Sequence, residues 1–326
     1  MTSSTAVINV EGRRTRVRVD GDPTNSPVLL LHGIGRSLED WAPQFSRLSG
    51  RHRLISLDLP GSGFSQRSSA PTTLAELAGG VLATLDQLGE DRPLHVVGNS
   101  LGGAVAQQFT TLAPDRVASL VLANSAGFGK EVAIPIRLMT LPLLGRFLAT
   151  HTTPSSARMA ERMTFANPAL VTQSRLDHAM AIARQPETGA VVWETAKSLV
   201  TLRGVKIEWR EMLTQRIAAG GKPILVLWGD RDRILPARHL DEARRVLPHA
   251  TTHLFTGVGH MPQIECPDEF ASLVLEFLST VDRTLDLGGV PDGYRAMANR
   301  EALNVLVTHE LDRPSHPFQT ADPSRH

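Results

Sequence analysis

A serine hydroxyl becomes a nucleophile only when a base takes its proton, and an imidazole serves best as that base when a carboxylate fixes its tautomer. The chain carries such a set, in the order serine, acid, histidine. Ser100 sits in Gly98-Asn99-Ser100-Leu101-Gly102, followed by Gly103. The acid lies in Gly229-Asp230-Arg231-Asp232, where Asp230 and Asp232 compete and spacing alone does not separate them. His260 closes Gly257-Val258-Gly259-His260. Of the other histidines, His52, His95 and His253 fall within or at the start of apolar runs and read as structural, while His316 and His326 belong to the C-terminal stretch. Cys266, two residues before Asp268 at a helix start, has no base nearby in sequence and also reads as structural.

These side chains need elements that bring them to one place. Residues 94–97 are short, apolar and partly β-branched, which predicts a buried strand ending just before Ser100, and residues 104–112 read as the helix that follows. A serine at so sharp a strand-to-helix turn stands above the sheet, and glycines flank it because a Cβ there would collide with the neighbouring strand or helix. The Leu101 N–H at the start of that helix is then a free donor for charge forming on a reacting carbonyl. A second donor is expected from Ile34 in His32-Gly33-Ile34-Gly35, a glycine-rich turn after the apolar run 28–31.

The rest of the chain supports that layout. Residues 7–10 and 14–19 read as an antiparallel hairpin, and 28–31, 54–57, 94–97, 119–123, 223–228 and 252–255 as strands. Helices are expected over 40–48, over 73–88 with Thr73 and Glu76 as a capping box, and over 267–278. Such alternation predicts an α/β fold with a mostly parallel, doubly wound sheet. It stops between 127 and 216, which reads as helical and irregular, punctuated by Pro135, Pro142, Pro154 and Pro168. The expected division is therefore a core over 1–126 and 217–282, a helical cap over 127–216 inserted after the sixth strand, and a C-terminal extension over 283–326. In that extension a helix is expected over 295–307 and a flexible tail over 312–326.

Composition narrows the function. With 41% hydrophobic and 21% charged residues and a formal charge of +1, the 326-residue chain reads as an ordinary globular protein. Neither nucleic acid nor a membrane surface is expected as an electrostatic partner. The N-terminus lacks an apolar leader and no run reaches the length of a membrane span, so a soluble cytoplasmic protein is expected. A single cysteine and the absence of an HExxH pattern leave no metal site in view, and neither GxxxxGK nor GxGxxG occurs, so no cofactor is expected.

Taken together, HGIG at 32–35, DLPGSGFS at 58–65, GNSLGG at 98–103, WGDRDRILP at 228–236 and GHMPQIECPDEF at 259–270 resemble the α/β-hydrolase fold family over about residues 5–280. That resemblance implies Ser100 as nucleophile, His260 as base and Asp232, rather than Asp230, as the acid. Relatives that place the acid after the preceding strand would have it near Asn124-Ser125, where no carboxylate stands. Asn99 beside the serine is similar to the meta-cleavage-product hydrolases, which cut carbon–carbon bonds, but the chain departs from that branch at Arg36-Ser37 and Met261. The resemblance thus implies a cofactor-free serine hydrolase of small ester-type substrates, with a C–C hydrolase and a non-catalytic ligand binder as alternatives. Gly33, Met139, Phe165, Trp193 and Met261 are expected at the substrate pocket, with Phe147, Met159 and Met163 as further cap candidates.

Overall fold

The computed structural model describes residues 4–282, together with the strand pair at 284–285 and 306–307. The chain divides into two compact units, Met1–Leu278 and Ser279–His326. The first opens with the hairpin β1 (Ser4–Val10) and β2 (Arg13–Asp20), then β3 (Pro27–Leu31), α1 (Ala42–Leu48), β4 (Arg53–Leu57), α2 (Leu74–Gln87), β5 (Leu94–Asn99), α3 (Leu101–Leu112) and β6 (Val117–Ala123). Next come α4 (Ile134–Leu138), α5 (Pro142–Thr150), α6 (Pro154–Thr164), α7 (Gln173–Ala183) and α8 (Thr188–Leu199). A two-residue hairpin of β7 (Val200–Thr201) and β8 (Gly204–Val205) precedes α9 (Ile207–Ala219). The pattern then returns with β9 (Ile224–Gly229), α10 (Arg238–Val246), β10 (Thr251–Phe255), α11 (Pro262–Glu265) and α12 (Pro267–Asp282).

Eight strands form one sheet in the order β1-β2-β4-β3-β5-β6-β9-β10. β1, β2 and β4 pair antiparallel, and every pair from β4 to β10 is parallel. Apolar side chains on both faces of β3, β5, β6 and β9 explain the central positions, because a parallel sheet is covered by helices on each side; all residues of these four strands are buried except Ala118. One face packs Leu29, Val96, Leu120 and Val226 against α2, α3 and α9, and the other packs Val97, Val121 and Leu225 with Phe45 and Phe270. Strand order reverses between β3 and β5, and ligands of open α/β sheets bind at such switch points, outside the carboxyl ends of the strands. The loops after β3, β5, β6, β9 and β10 therefore share one rim.

Three sequence expectations shift. α3 begins at Leu101 rather than 104, since the chain turns directly from β5 into the helix. The segment expected to be helical contains the β7–β8 hairpin, whose turn is closed by Gly204 at φ +120°. The expected boundary at 216 falls inside α9, because Leu213 and Ile217 are buried in the same core as the sheet. At the start of α2 Thr73 caps the helix by accepting from the Glu76 N–H at 3.2 Å. The flexible tail expected over 312–326 lies outside the described residues, and so does the helix expected over 295–307, except that Leu306–Val307 pair in parallel with Thr284–Leu285 as a strand.

Candidate active site

Ser100 lies between the last residue of β5 and the first of α3, at φ 58° and ψ −118°. Non-glycine residues with positive φ are strained and persist where the surroundings over-determine them. Close packing does so here. A Cβ on Gly98 would lie 2.3 Å from the Gly102 carbonyl oxygen, and one on Gly102 would lie 2.1 Å from that of Leu31. Leu101 is the first residue of α3, where an amide has no acceptor one turn back. Ile34 follows β3 on the neighbouring strand, and a Cβ on Gly33 would stand 3.3 Å from Ser100 Cβ. His32 shapes this loop: its Nδ1–H donates to the Gly33 carbonyl at 2.8 Å, and its Nε2 accepts from the Leu59 N–H at 3.0 Å. Among the described residues neither the Ile34 nor the Leu101 amide is engaged in a backbone bond of the turns and loops.

His260 and Asp232 meet directly. The His260 Nδ1–H donates to Asp232 Oδ2 at 2.7 Å, which directs Nε2 away from the carboxylate. Asp232 also accepts from the amides of Ile234 and Leu235 through Oδ1, at 2.7 and 3.0 Å, and from Asn124 Nδ2 through Oδ2 at 2.7 Å. Asp230 turns elsewhere and accepts from the Gly257 N–H. Asn99, the residue before the serine, donates to the Ala123 carbonyl and, at 3.0 Å, to the His260 carbonyl. The loop carrying the imidazole is thus tied to the strand carrying the serine. No hydrogen bond closes between the Ser100 hydroxyl and the His260 ring among the described residues. Such bonds are often long in unliganded sites and tighten when substrate arrives.

The remaining titratable groups are placed for structure. His95 and His52 face the Ser119 and Ser26 hydroxyls, and His253 pairs with Glu269. Burial, with the charges of Glu269 and Glu265, pushes the Cys266 thiol up to about 12, so no thiolate competes with the serine. No group of three His, Cys, Asp or Glu side chains able to hold a metal occurs among the described residues.

Comparison with known proteins gives the family of the chain. Residues 26–267 match the family model described as the alpha/beta hydrolase fold. The chain belongs to the α/β-hydrolase fold family. It is similar, at 34% identity over 270 residues, to the dihydrolipoyllysine-residue acetyltransferase component of the acetoin cleaving system of Cupriavidus necator, covering 83% of this chain and 68% of that protein. A 2-hydroxy-6-oxononadienedioate/2-hydroxy-6-oxononatrienedioate hydrolase of Burkholderia vietnamiensis is 30% identical, with 83% of this chain and 94% of that one aligned. Among solved structures, a membrane phospholipase A described as a bacterial virulence factor superposes with a TM-score of 0.70 at 25% identity, covering 86% of this chain and 87% of the other.

Against this α/β-hydrolase core, the apolar residues expected at the pocket separate into two groups. Phe165 and Met261 are buried together with Ile264, and the Arg175 guanidinium lies 5.1 Å from the Phe165 ring centre. Met139, Met163 and Trp193 are half-buried, the last with the Lys197 ammonium 5.0 Å from its ring. Phe147 of α5 and Met159 of α6 are 55% and 61% exposed. Asn124 is the site residue that the sequence does not reveal: the position carries no carboxylate of its own, whereas its amide holds that of Asp232. Its positive φ of 45° follows the end of β6, a signal no local sequence pattern carries. No helix among the described residues is long and apolar enough to cross a membrane.

Proposed function

We propose that the chain is a serine hydrolase of carboxylic esters acting through an acyl-enzyme on Ser100. In this reading the Ser100 oxygen attacks the ester carbonyl while His260 Nε2 takes its proton, and Asp232 stabilises the imidazolium. The carbonyl oxygen, now an oxyanion, is met by the Leu101 and Ile34 amides, each such donor contributing about 10²–10³ in rate. Collapse breaks the C–O bond, and the alcohol leaves with the proton from His260. Water then gives a proton to His260, attacks the acyl carbon and releases the acid, and Ser100 regains its proton. The segment over 127–206, ahead of α9, acts as the cap, with Phe165 and Met261 at the acyl pocket beside Gly33.

The observation that carries the reading is the 2.7 Å contact from His260 Nδ1 to Asp232, on a loop bonded to the residue before a strained serine. Hydrolysis of a C–C bond in a vinylogous diketone is the second reading, supported by Asn99 beside the serine and by the 30% identity to the Burkholderia hydrolase. A fluorophosphonate probe should label the folded protein and fail on Ser100→Ala. p-Nitrophenyl acyl esters should turn over faster than a dienoate diketone. Folded protein that resists the probe overturns the catalytic reading, and the reverse substrate order overturns the ester assignment.

A further inference from the structure

The His260 loop is gripped from two sides. From the sheet, Asn99 and Asn124 donate to the carbonyls of His260 and Gly259, at 3.0 and 3.3 Å. From the helical insertion, the Thr164 carbonyl at the end of α6 accepts from the His260 N–H at 2.8 Å. The carboxylate of Glu265 completes the second grip. Its Oε1 accepts from the Gly259 N–H at 2.8 Å, and its Oε2 accepts from the Ala166 and Asn167 amides at 2.9 and 3.2 Å. One side chain therefore joins the residue before the histidine to the turn after α6. No cation pairs with it among the described residues, and the buried cluster of Phe165, Met261 and Ile264 packs alongside.

We propose that Glu265 is a positioning residue that makes the placement of the His260 ring depend on the seating of the helical insertion. The inference deepens the serine-hydrolase reading and rests on it for its kinetic consequence. Three amide donors converge on two oxygens of one carboxylate, so both oxygens must be acceptors. In Glu265→Gln one of them becomes an NH₂ donor, and either Gly259 or the Ala166–Asn167 turn loses its partner. The His260 N–H bond to the Thr164 carbonyl is then the one hydrogen bond among the described residues that still links the loop to the insertion, and the distance from His260 to Ser100 is less tightly fixed by it.

The test reads His260 directly, through the low-field proton resonance of its Nδ1–H on Asp232, assigned by its loss in His260→Ala. Glu265→Gln should shift or broaden that resonance and slow fluorophosphonate labelling of Ser100 about tenfold. Asn167→Pro removes one of the two insertion-side amides, along with the Asn167 side chain that accepts from the Ala169 N–H, and should move the resonance in the same direction by a smaller amount, although Asn167 bonds Glu265 and not the histidine. Asn167→Ala keeps the amide and should leave the resonance in place. An unchanged resonance in both Glu265→Gln and Asn167→Pro, whatever happens to Tm, overturns the proposal. Should Glu265→Gln fail to fold, Asn167→Pro decides alone. A wild-type protein that shows the resonance yet resists the probe would sink the hydrolase reading instead, and the response of the resonance would still decide the positioning role.

Discussion

At the scale of single residues, four donors converge on the Asp232 carboxylate, and their removal should have graded effects. Asn124→Ala leaves Oδ2 with His260 as its one side-chain partner. A hydrogen bond to a charged group contributes about 1.5–3 kcal/mol, so kcat/KM should fall about ten- to a hundredfold with KM little changed. Asp232→Asn replaces the acceptor facing the imidazole and should cost about 10⁴ in kcat, the scale known for loss of the triad acid. Asp230→Asn should stay within about twofold, because Asp230 bonds the Gly257 amide and not the histidine. Steady-state kinetics on one ester substrate with all three variants ranks them, and equal losses in Asp230→Asn and Asp232→Asn would contradict the assignment. This ranking also marks what the sequence could disclose. Ser100 and His260 were legible because each follows an apolar run and neighbouring glycines, whereas the choice between two aspartates two residues apart, and the help from Asn124, depend on contacts that chain spacing does not encode.

At the scale of elements, the site exists because α3 is packed hard against the end of β3. Gly102 sets that approach, and Gly102→Ala would drive a Cβ into the Leu31 carbonyl, a backbone atom that cannot swing aside. Overpacking of this kind costs about 1–3 kcal/mol. The variant should lose Tm and, because α3 carries the Leu101 amide, should lose probe labelling by more than its folded fraction explains; labelling that merely tracks the folded fraction would show that the helix start does not position the site. The strands were easy to read because β3, β5, β6 and β9 are apolar on both faces. The start of α3 was harder. Gly102-Gly103 weakens local helix propensity, and only the demand that the chain turn immediately after Ser100 makes Leu101 helical. The β7–β8 hairpin has two residues in each strand, too few for alternation to register. The run of α9 past residue 216 reflects Leu213 and Ile217, four apart on one helix face, reaching into the sheet's own core.

At the scale of the whole molecule, charged pairs far apart in sequence fasten the helical insertion to the sheet, and periodicity is blind to them. Arg36, in the loop after β3, pairs with Asp40 and with the buried Glu161 of α6, 125 residues away. Burial works against the Arg36 charge, but the two carboxylates outweigh it and raise its pKa. Glu39 faces Arg16 of β2, the Ser37 hydroxyl and His178 of α7. Burial alone would raise Glu39; the hydrogen bonds from His178 and Ser37 and the Arg16 charge prevail and hold it at about 2, below the ordinary 4.5. A carboxyl depressed in the folded state stabilises the fold above its unfolded pKa and loses that contribution as pH falls through the folded one. Glu39→Gln should therefore melt below the wild type at pH 7, and the gap should narrow as pH falls from about 4.5 towards about 2. Tm measured across that range for both proteins checks the linkage, and a gap that keeps its neutral-pH size down to the lowest pH would show that the ionised carboxylate does not fasten α7 to β2.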